Sequence, residues 1–166
     1  MSAAGSAAAD VLAALRGRGL TLATAESLTG GLVGAALTAV AGSSDVYRGG
    51  VVCYATDLKA RLVGVPEDVL AAHGPVAPET AAALATGAAR VCGADVGAAT
   101  TGVAGPSPQD GHPVGEVYVA VSLPGEEPRV RPLRLTGDRR AIREQTLDAV
   151  LALLDEALAT EAIPLS

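Results

Sequence analysis

Aromatic side chains are nearly absent from this sequence. The 166 residues include no Trp and no Phe, and only three tyrosines: Tyr47, Tyr54 and Tyr118. Hydrophobic residues nevertheless make up 49% and charged residues 18% of the chain, which excludes the disordered class. The core must therefore be built from Ala, Val and Leu, and such small side chains favour close packing of helices on a sheet.

Positive charge is also scarce. The chain has 12 Lys and Arg against 18 Asp and Glu, so its net charge is -6. This balance excludes the broad basic surface that non-specific binding of nucleic acid needs, and we expect no nucleic-acid partner. A local cluster of Arg139, Arg140 and Arg143 remains a candidate anion site.

Metal-binding and export signals are lacking as well. Cys53 and Cys92 stand in apolar surroundings without CxxC spacing, which predicts buried, reduced thiols. With His73 and His112 as the only histidines, no cluster has metal-ligand spacing, so we expect no metal and no cofactor. The first residues lack the features of a signal peptide, and no apolar run approaches about 20 residues. We therefore expect a cytoplasmic protein with no membrane partner.

The hydrophobic pattern predicts alternating helices and strands, with Gly or Pro at most boundaries. Helices are predicted at about 7–16, 32–40, from Thr56, from Pro66, 78–92 and 139–159, with the chain after 161 frayed. Strands are predicted at 20–25, 51–54, 96–101, 116–123 and 129–135. Thr56 can cap the short helix that carries Lys59. The order predicts one α/β domain over 1–166, with its core at about 7–160. Its expected architecture is a three-layer α/β/α sandwich with a mixed, mostly parallel sheet.

Lys59 is the only lysine, whereas the other eleven basic residues are arginines. Arginine keeps its proton, but lysine shifts its pKa readily and can act as a base. A lone lysine is also typical of a solvated helix face. Whether Lys59 is a base therefore depends on which residues lie near it. Ser44 precedes the strand at 51–54 and Tyr54 ends it, and the loop, strand end and helix can meet at the rim of a sheet. The alternative is that 42–44 is only a turn and Tyr54 only a residue at the edge of the core.

Nine short blocks in unbroken order, spanning roughly 10–155, resemble the CinA C-terminal family. They are TAESLTGG (24–31), AGSS (41–44), VCY (52–54), Lys59, GV (64–65), HGPV (73–76), TGVAGP (101–106), PVG (113–115) and GDR (137–139). The resemblance implies hydrolysis of the carboxamide of nicotinamide mononucleotide to nicotinate mononucleotide and ammonia, in pyridine nucleotide salvage. It also implies a serine nucleophile with a lysine and a tyrosine, matched here to Ser44, Lys59 and Tyr54, and a homo-oligomer.

These residue types suit a metal-independent amidase. A serine hydroxyl is a poor nucleophile until a base takes its proton. For Lys59 to be that base near neutral pH, its pKa must fall by about three units, which burial can supply. Tyr54 can hydrogen-bond Lys59 or Ser44, or relay a proton to the leaving ammonia, and the sequence does not choose between these roles.

Ser27 is the rival nucleophile, because it sits on a strand-to-helix turn. The turn at 26–31 better suits substrate binding, since its glycines allow close approach and the next helix offers free N–H groups to an anion. The plain alternative is a helix N-cap. Glu26 can bond ribose hydroxyls, neutralise a cation or cap that helix. The substrate-binding candidates in this turn are Glu26, Ser27, Thr29, Gly30 and Gly31.

A second Gly-rich loop at a strand end supplies further candidates, Thr101, Gly102 and Gly105. After Pro106 the sequence has Ser-Pro-Gln-Asp where the family is richer in glycine, which affects loop flexibility and substrate fit. Arg139 and Arg143, four residues apart, share a helix face and either hold the substrate phosphate or solvate the helix. The competing functional class is a non-catalytic nucleotide-binding or partner-binding domain, which would not need a deprotonatable amine.

Overall fold

The computed structural model describes residues 2–160. Its helices are α1 (Ala3–Arg18), α2 (Leu32–Thr38), α3 (Thr56–Val63), α4 (Glu67–His73), α5 (Pro78–Cys92) and α6 (Arg139–Ala159). Its strands are β1 (Leu22–Glu26), β2 (Tyr47–Val52), β3 (Val96–Gly102), β4 (Glu116–Ser122) and β5 (Arg129–Arg134). A single 3-10 turn, Ser43–Asp45, precedes β2. Within residues 2–160, no helix combines the length and apolarity needed to cross a membrane.

The five strands form one sheet in the order β2-β1-β3-β4-β5. β1 pairs in parallel with both β2 and β3, whereas β4 is antiparallel to both β3 and β5. Four of the five strands thus point in the same direction, and only β4 opposes them. The predicted mixed, mostly parallel sheet is confirmed, and the carboxyl ends of β1, β2 and β3 meet at one edge.

Two hydrophobic cores lie on opposite faces of the sheet, because successive strand side chains alternate between faces. On one face, Val117, Val119 and Val121 of β4 join a cluster with α1, α2 and α6. On the other face, small side chains such as Ala23 and Ala25 of β1 pack with α3 and α5. Helices therefore cover both faces, as the three-layer prediction required.

The small side chains allow α5 to lie very close to the sheet. A Cβ added to Gly97 in β3 would come within 1.8 Å of the Ala85 carbonyl oxygen in α5. No real side chain tolerates that distance, so only glycine fits at this position. The near absence of aromatic residues matches this tight interface.

β2 begins four residues earlier than the predicted strand at 51–54, at Tyr47. Gly49 and Gly50 looked like a lead-in to the strand, but both pair with β1. Gly50 lacks a Cβ because that atom would lie 2.3 Å from Thr24 Oγ1. Close contact with β1 therefore explains glycine inside a strand. At the other end of the chain, the predicted end of the last helix at about 159 is confirmed, and the predicted fraying after 161 lies outside the described residues.

Candidate active site

A cleft with a cavity volume of about 80 Å³ lies at the carboxyl edge of the sheet. This edge is where ligands bind in open α/β sheets. Among the predicted site residues, seven line the cleft: Ser27, Tyr54, Lys59, Thr101, Gly102, Gly105 and Arg139. They come from four separate parts of the chain, so the fold brings them together from positions far apart in sequence.

Ser27 is the first residue after β1 and lies at the wall of the cleft. Its N–H donates to the Thr100 carbonyl of β3 at 3.1 Å, which extends the pairing of the two strands by one step. The chain then turns away through Leu28, Thr29 and the glycines into α2. Ser27 Oγ lies 3.0 Å from Lys59 Nζ. The hydroxyl is thus placed at a strand-to-helix turn, in contact with the only lysine.

Lys59 is buried, with 1% of its surface exposed, although lysine is almost never found fully buried. It lies in α3, which begins just after β2 ends, so its side chain reaches back towards the ends of β1 and β2. Burial lowers the pKa of its ammonium group, because desolvation disfavours the charged form. Within residues 2–160, no carboxylate bonds the Nζ; its three partners are Ser27 Oγ and the carbonyl oxygens of Cys53 and Tyr54.

The partners of Lys59 orient its lone pair when the amine is neutral. The Cys53 and Tyr54 carbonyl oxygens lie 2.7 Å and 3.4 Å from Nζ, and both can only accept. A neutral amine has two N–H groups, which these two carbonyls take up. Its remaining lone pair is then directed at the Ser27 hydroxyl, which is the arrangement a general base needs.

Tyr54 takes part in this site through its main chain. Its side chain is 57% exposed, and its phenol oxygen accepts a hydrogen bond from Arg139 at 2.8 Å rather than from Lys59 or a serine. Only its carbonyl oxygen contacts Lys59. The Tyr54 phenol thus bonds neither Lys59 nor Ser44, which were its predicted partners. Its contact with Arg139 was not predicted from the sequence.

Ser44 is not part of this cleft, which corrects the predicted grouping of Ser44 with Tyr54 and Lys59. It is exposed in the 3-10 turn that precedes β2, whereas Tyr54 and Lys59 follow the other end of the same strand. The length of β2, about 20 Å at about 3.3 Å per residue, separates the two edges. The turn is held from α1 instead, by Arg16 NH2 donating to the Gly42 carbonyl at 3.0 Å. Ser44 is therefore a residue of a turn at the edge of the sheet opposite the cleft.

The turn at 26–31 is organised by Glu26, which is 3% exposed. Its carboxylate accepts from the N–H groups of Gly31, Val33 and Gly34 at 3.2, 2.9 and 3.0 Å. It therefore caps α2, which was one of its predicted alternatives. Gly30 and Gly31 take left-handed backbone conformations, with φ of 57° and 109°. The hydroxyl of Thr29 is buried against that of Thr100 at 2.8 Å, so Glu26 and Thr29 support the turn from behind rather than facing the cleft.

Replacing Glu26 with Gln should destabilise the protein. An amide can accept with only one of its two ends, so its NH₂ group would face one of the three buried N–H donors. We expect a loss of about 1–3 kcal/mol in the free energy of unfolding, measured by urea denaturation. Glu127→Gln, in the exposed turn between β4 and β5, is the matched control and should change it by less than about 0.5 kcal/mol. Equal stability of the two variants would contradict the capping role.

The second loop forms the opposite wall of the cleft. Thr101 Oγ1 donates to the Pro75 carbonyl at 2.6 Å, and this joins the end of β3 to the segment at 73–76. Beyond Gly105, the loop folds back on β4, where the Glu116 carboxylate accepts from His112, Tyr118 and Arg134. Burial works to raise the pKa of Glu116, but these three bonds outweigh it and lower that pKa. The ionised carboxylate therefore anchors the base of the loop.

Of the three arginines in the predicted anion site, Arg139 and Arg143 contact main-chain carbonyls. Arg139 lines the cleft and donates to the Gly105 carbonyl at 2.6 Å as well as to Tyr54. Arg143 does not line the cleft; it donates to the carbonyls of Leu28 and Thr29, both at 3.0 Å. Arg140 is exposed and pairs with Glu144 at 2.9 Å. Only Arg139 of the three faces the candidate site.

Several cleft residues were not assigned a role from the sequence. They are Leu28, Thr56, Pro75, Val76, Val103, Ala104, Ser107 and Gln109. Two of these segments had drawn attention in the sequence, although no role followed from it. Pro75 and Val76 belong to the HGPV block, and Ser107 and Gln109 lie where the sequence departs from the family pattern. Thr56 was expected to cap α3, but Ala55 is at the cap position and no side chain caps the helix. In residues 2–160, no group of three or more His, Cys, Asp or Glu could hold a metal ion.

Fold and cleft together define an α/β domain with a buried serine–lysine contact at the carboxyl edge of its sheet. The model of the CinA C-terminal domain matches residues 4–158, so the chain belongs to this family. A CinA-like protein of Myxococcus xanthus is 48% identical over 161 residues, covering 95% of this chain and 38% of the relative. One from Frankia casuarinae is 48% identical over 149 residues, covering 90% and 34%. The chain thus spans little more than a third of these relatives.

Solved structures show the same fold over nearly the whole chain. A CinA superfamily protein from Klebsiella pneumoniae superposes with a TM-score of 0.91 at 35% identity, covering 96% of this chain and 100% of that one. A competence/damage inducible protein from Agrobacterium tumefaciens superposes with a TM-score of 0.90 at 34% identity, covering 96% and 98%. The resemblance stated from the short sequence blocks is confirmed.

Proposed function

We propose that this domain is a metal-independent amidohydrolase that uses Ser27 as nucleophile and Lys59 as general base. The observation that carries the proposal is the contact of 3.0 Å between Ser27 Oγ and a buried lysine Nζ that has no carboxylate partner in the described part of the chain. Burial lowers the pKa of Lys59, and two carbonyl acceptors direct its lone pair at the hydroxyl. The nucleophile expected at Ser44 is therefore reassigned to the rival, Ser27.

The proposed reaction has two steps. Lys59 takes the hydroxyl proton while Ser27 Oγ attacks the carboxamide carbon and forms a tetrahedral oxyanion. The Leu28 N–H, in the peptide directly after the nucleophile, is our candidate donor to this oxyanion. The C–N bond then breaks as Lys59 returns the proton to the nitrogen, which releases ammonia and leaves an acyl ester on Ser27. In the second step, water attacks the ester with Lys59 again as base, which releases the carboxylate and restores Ser27.

We further propose nicotinamide mononucleotide as the substrate, and pyridine nucleotide salvage as the pathway, on the strength of the family resemblance. The cleft at the carboxyl edge of the sheet is the proposed binding site, since this edge is where open α/β sheets bind ligands. Arg139 is the charged residue at its mouth suited to an anionic group, and Thr101, Gly102 and Gly105 form the wall beside it. Tyr54 stays in the proposed site through its carbonyl contact with Lys59 and through its phenol beside Arg139.

Ammonia release from nicotinamide mononucleotide tests the proposed function directly. We expect the purified protein to release one ammonia per nicotinate mononucleotide formed. The rate should survive dialysis against EDTA, because Ser27 and Lys59 themselves supply nucleophile and base. Loss of activity on chelation, restored by a divalent ion, would contradict the serine–lysine mechanism. Tight binding of the nucleotide without turnover would support the competing class, a nucleotide-binding domain.

We place this activity in the cytoplasm. Neither Cys53 nor Cys92 forms a disulfide, and Cys53 is fully buried beside the site, where its carbonyl accepts from Lys59. Burial raises the pKa of the Cys53 thiol, which keeps it protonated and unreactive. Unpaired thiols are typical of proteins from reducing compartments. Cys92 is only half-buried, so the prediction of buried thiols holds for Cys53 alone.

We also propose that the domain self-associates through β2. This strand is one edge of the sheet. The Cys53 N–H donates to the Glu26 carbonyl of β1. Because main-chain groups alternate in direction along a strand, those of Gly50 and Val52 point away from β1. The opposite edge, β5, carries Pro132 and three arginines, which discourage pairing. Val52 and Tyr54 are among the exposed large hydrophobic residues and lie at this edge. Antiparallel pairing of two copies would cover the free groups.

Sedimentation and amide exchange would test this dimer. We expect a dimer in sedimentation velocity, and slow hydrogen exchange at the Gly50 and Val52 amides. Val52→Glu should yield monomers in which both amides exchange quickly, because a charge at an edge strand opposes pairing. Arg131→Glu, on the opposite edge, is the control and should remain dimeric. A wild-type monomer, or a dimer with fast exchange at both amides, would rule out this interface.

A further inference from the structure

The turn that carries Ser27 is held from one side by a residue of α6. Arg143 is 115 residues away from Leu28 in sequence, yet its Nε donates to the Leu28 carbonyl and its NH2 to the Thr29 carbonyl, each at 3.0 Å. These are the two peptide carbonyls that directly follow the candidate nucleophile. The guanidinium therefore contacts the turn itself and not the cleft.

The geometry of this contact requires arginine. Nε and one NH2 group lie along the same edge of the planar guanidinium, so they reach two neighbouring acceptors as a rigid fork. The same NH2 lies 3.5 Å from where a Cβ of Gly30 would be, so the group is seated over the glycine of the turn. Arg143 forms no salt bridge in the part of the chain that the structure describes, whereas Arg131, Arg134 and Arg140 do. A half-buried cation is thus engaged solely with main-chain carbonyls.

Without Arg143, the turn would keep two supports, Thr100 of β3 behind it and the Glu26 carboxylate at the start of α2, and none from α6. The Ser27 N–H and the Thr29 hydroxyl both bond to Thr100 of β3, behind the turn. On the other side the chain runs into α2, which has only seven residues. A helix this short contributes little stability of its own. The side facing α6 is therefore held by the guanidinium fork.

We propose that Arg143 is a positioning residue that keeps Ser27 Oγ in line with the Lys59 lone pair. The inference rests on the proposed serine–lysine mechanism. It replaces the expectation that Arg143 holds the substrate phosphate. A displacement of about 1 Å between reacting groups can cost about 10²-fold in rate, so a support at this turn has a measurable kinetic effect.

The kinetic test compares Arg143→Lys and Arg143→Ala with Arg140→Ala. We expect kcat to fall about 10- to 100-fold in both Arg143 variants, with KM within about twofold and the apparent pKa of the pH–rate profile unchanged. Lysine keeps the charge but not the fork, so it should not restore the rate. Added guanidinium should partly restore kcat in Arg143→Ala only. Arg140→Ala, which loses only the exposed pair with Glu144, should behave like the wild type.

Two outcomes would overturn the proposal. A large rise in KM at unchanged kcat would assign Arg143 to substrate binding. A lower melting temperature with unchanged kcat at a temperature where the variant is folded would make its role purely structural. Because Arg143→Lys keeps the charge and the helix, it serves if Arg143→Ala does not fold.

Labelling of the serine separates this inference from the proposed function. A fluorophosphonate probe phosphonylates an activated serine whatever its substrate, and mass spectrometry locates the adduct. We expect labelling at Ser27 in the wild type, slowed about 10-fold or more in both Arg143 variants. Equal labelling rates would overturn the positioning role and leave the nucleophile intact. Absence of a Ser27 adduct in the wild type would overturn both proposals.

Discussion

Replacing Ser27 with Ala should abolish amide hydrolysis, with kcat falling by about 10³-fold or more. The reason is that Ser27 Oγ is the hydroxyl at 3.0 Å from the buried Lys59 amine. Its removal leaves the base without a nucleophile to activate. Substrate affinity should change little, because the cleft walls around Arg139 and Gly105 stay in place. Single-turnover assays with nicotinamide mononucleotide, together with a binding titration, measure the two effects separately.

Ser44→Ala is the matched control for this experiment. Both substitutions remove one hydroxyl from a serine in a turn next to a strand, and Ser44 is exposed at the opposite edge of the sheet. We expect kcat and KM of this variant to stay within about twofold of the wild type. Loss of turnover in Ser44→Ala with an active Ser27→Ala would return the nucleophile to the turn at 42–44.

The fold was predictable because local signals agreed with one another. The β4 alternation of Val117, Val119 and Val121 identified a strand with one face in the core, and the structure places all three in one cluster. Proline at the start of α5 and glycine after it marked a helix that the structure confirms. β2 was harder, because Gly49 and Gly50 are poor strand formers. Their presence follows from contact with Thr24 on β1, which no local pattern reveals.

The candidate site was predictable in part. Lys59 stood out because it is the only lysine in the chain. The end of β2 and the start of α3 were expected at the carboxyl edge of the sheet, where the structure has them. Ser44 was misplaced because spacing along the chain does not state which end of a strand a residue occupies in space. A loop before a parallel strand and a helix after it lie at opposite edges, so Ser44 and Lys59 cannot meet across β2. Ser27 follows β1, the neighbour of β2, and reaches the same edge as Lys59.

The roles of the polar residues behind the site depend on contacts that are distant in sequence. Glu26, Thr29 and Arg143 were candidates for substrate binding, with a helix cap as the alternative for Glu26 and a solvated helix face as the alternative for Arg143. In the structure, each of them supports the turn of Ser27 instead. The sequence predicts a site at this segment, and the three-dimensional arrangement decides which side chains face the cleft and which face the protein.

Substituting Arg for Lys59 should lower kcat by about 10²- to 10⁴-fold, the usual contribution of general base catalysis. Arginine keeps the positive charge but cannot give up its proton, so it cannot accept one from Ser27. The wild-type kcat/KM should also rise with pH through one ionisation below that of free lysine, because burial lowers the pKa of Lys59. Because the neutral amine of Lys59 is the active form, activity is lost as pH falls through its depressed pKa. Circular dichroism is the control for folding, and the rate of Ser27 labelling should fall together with kcat, because Lys59 activates that serine. An Arg variant with near-wild-type kcat, or a wild-type profile without this ionisation, would show that Lys59 supplies charge only and that another group accepts the proton.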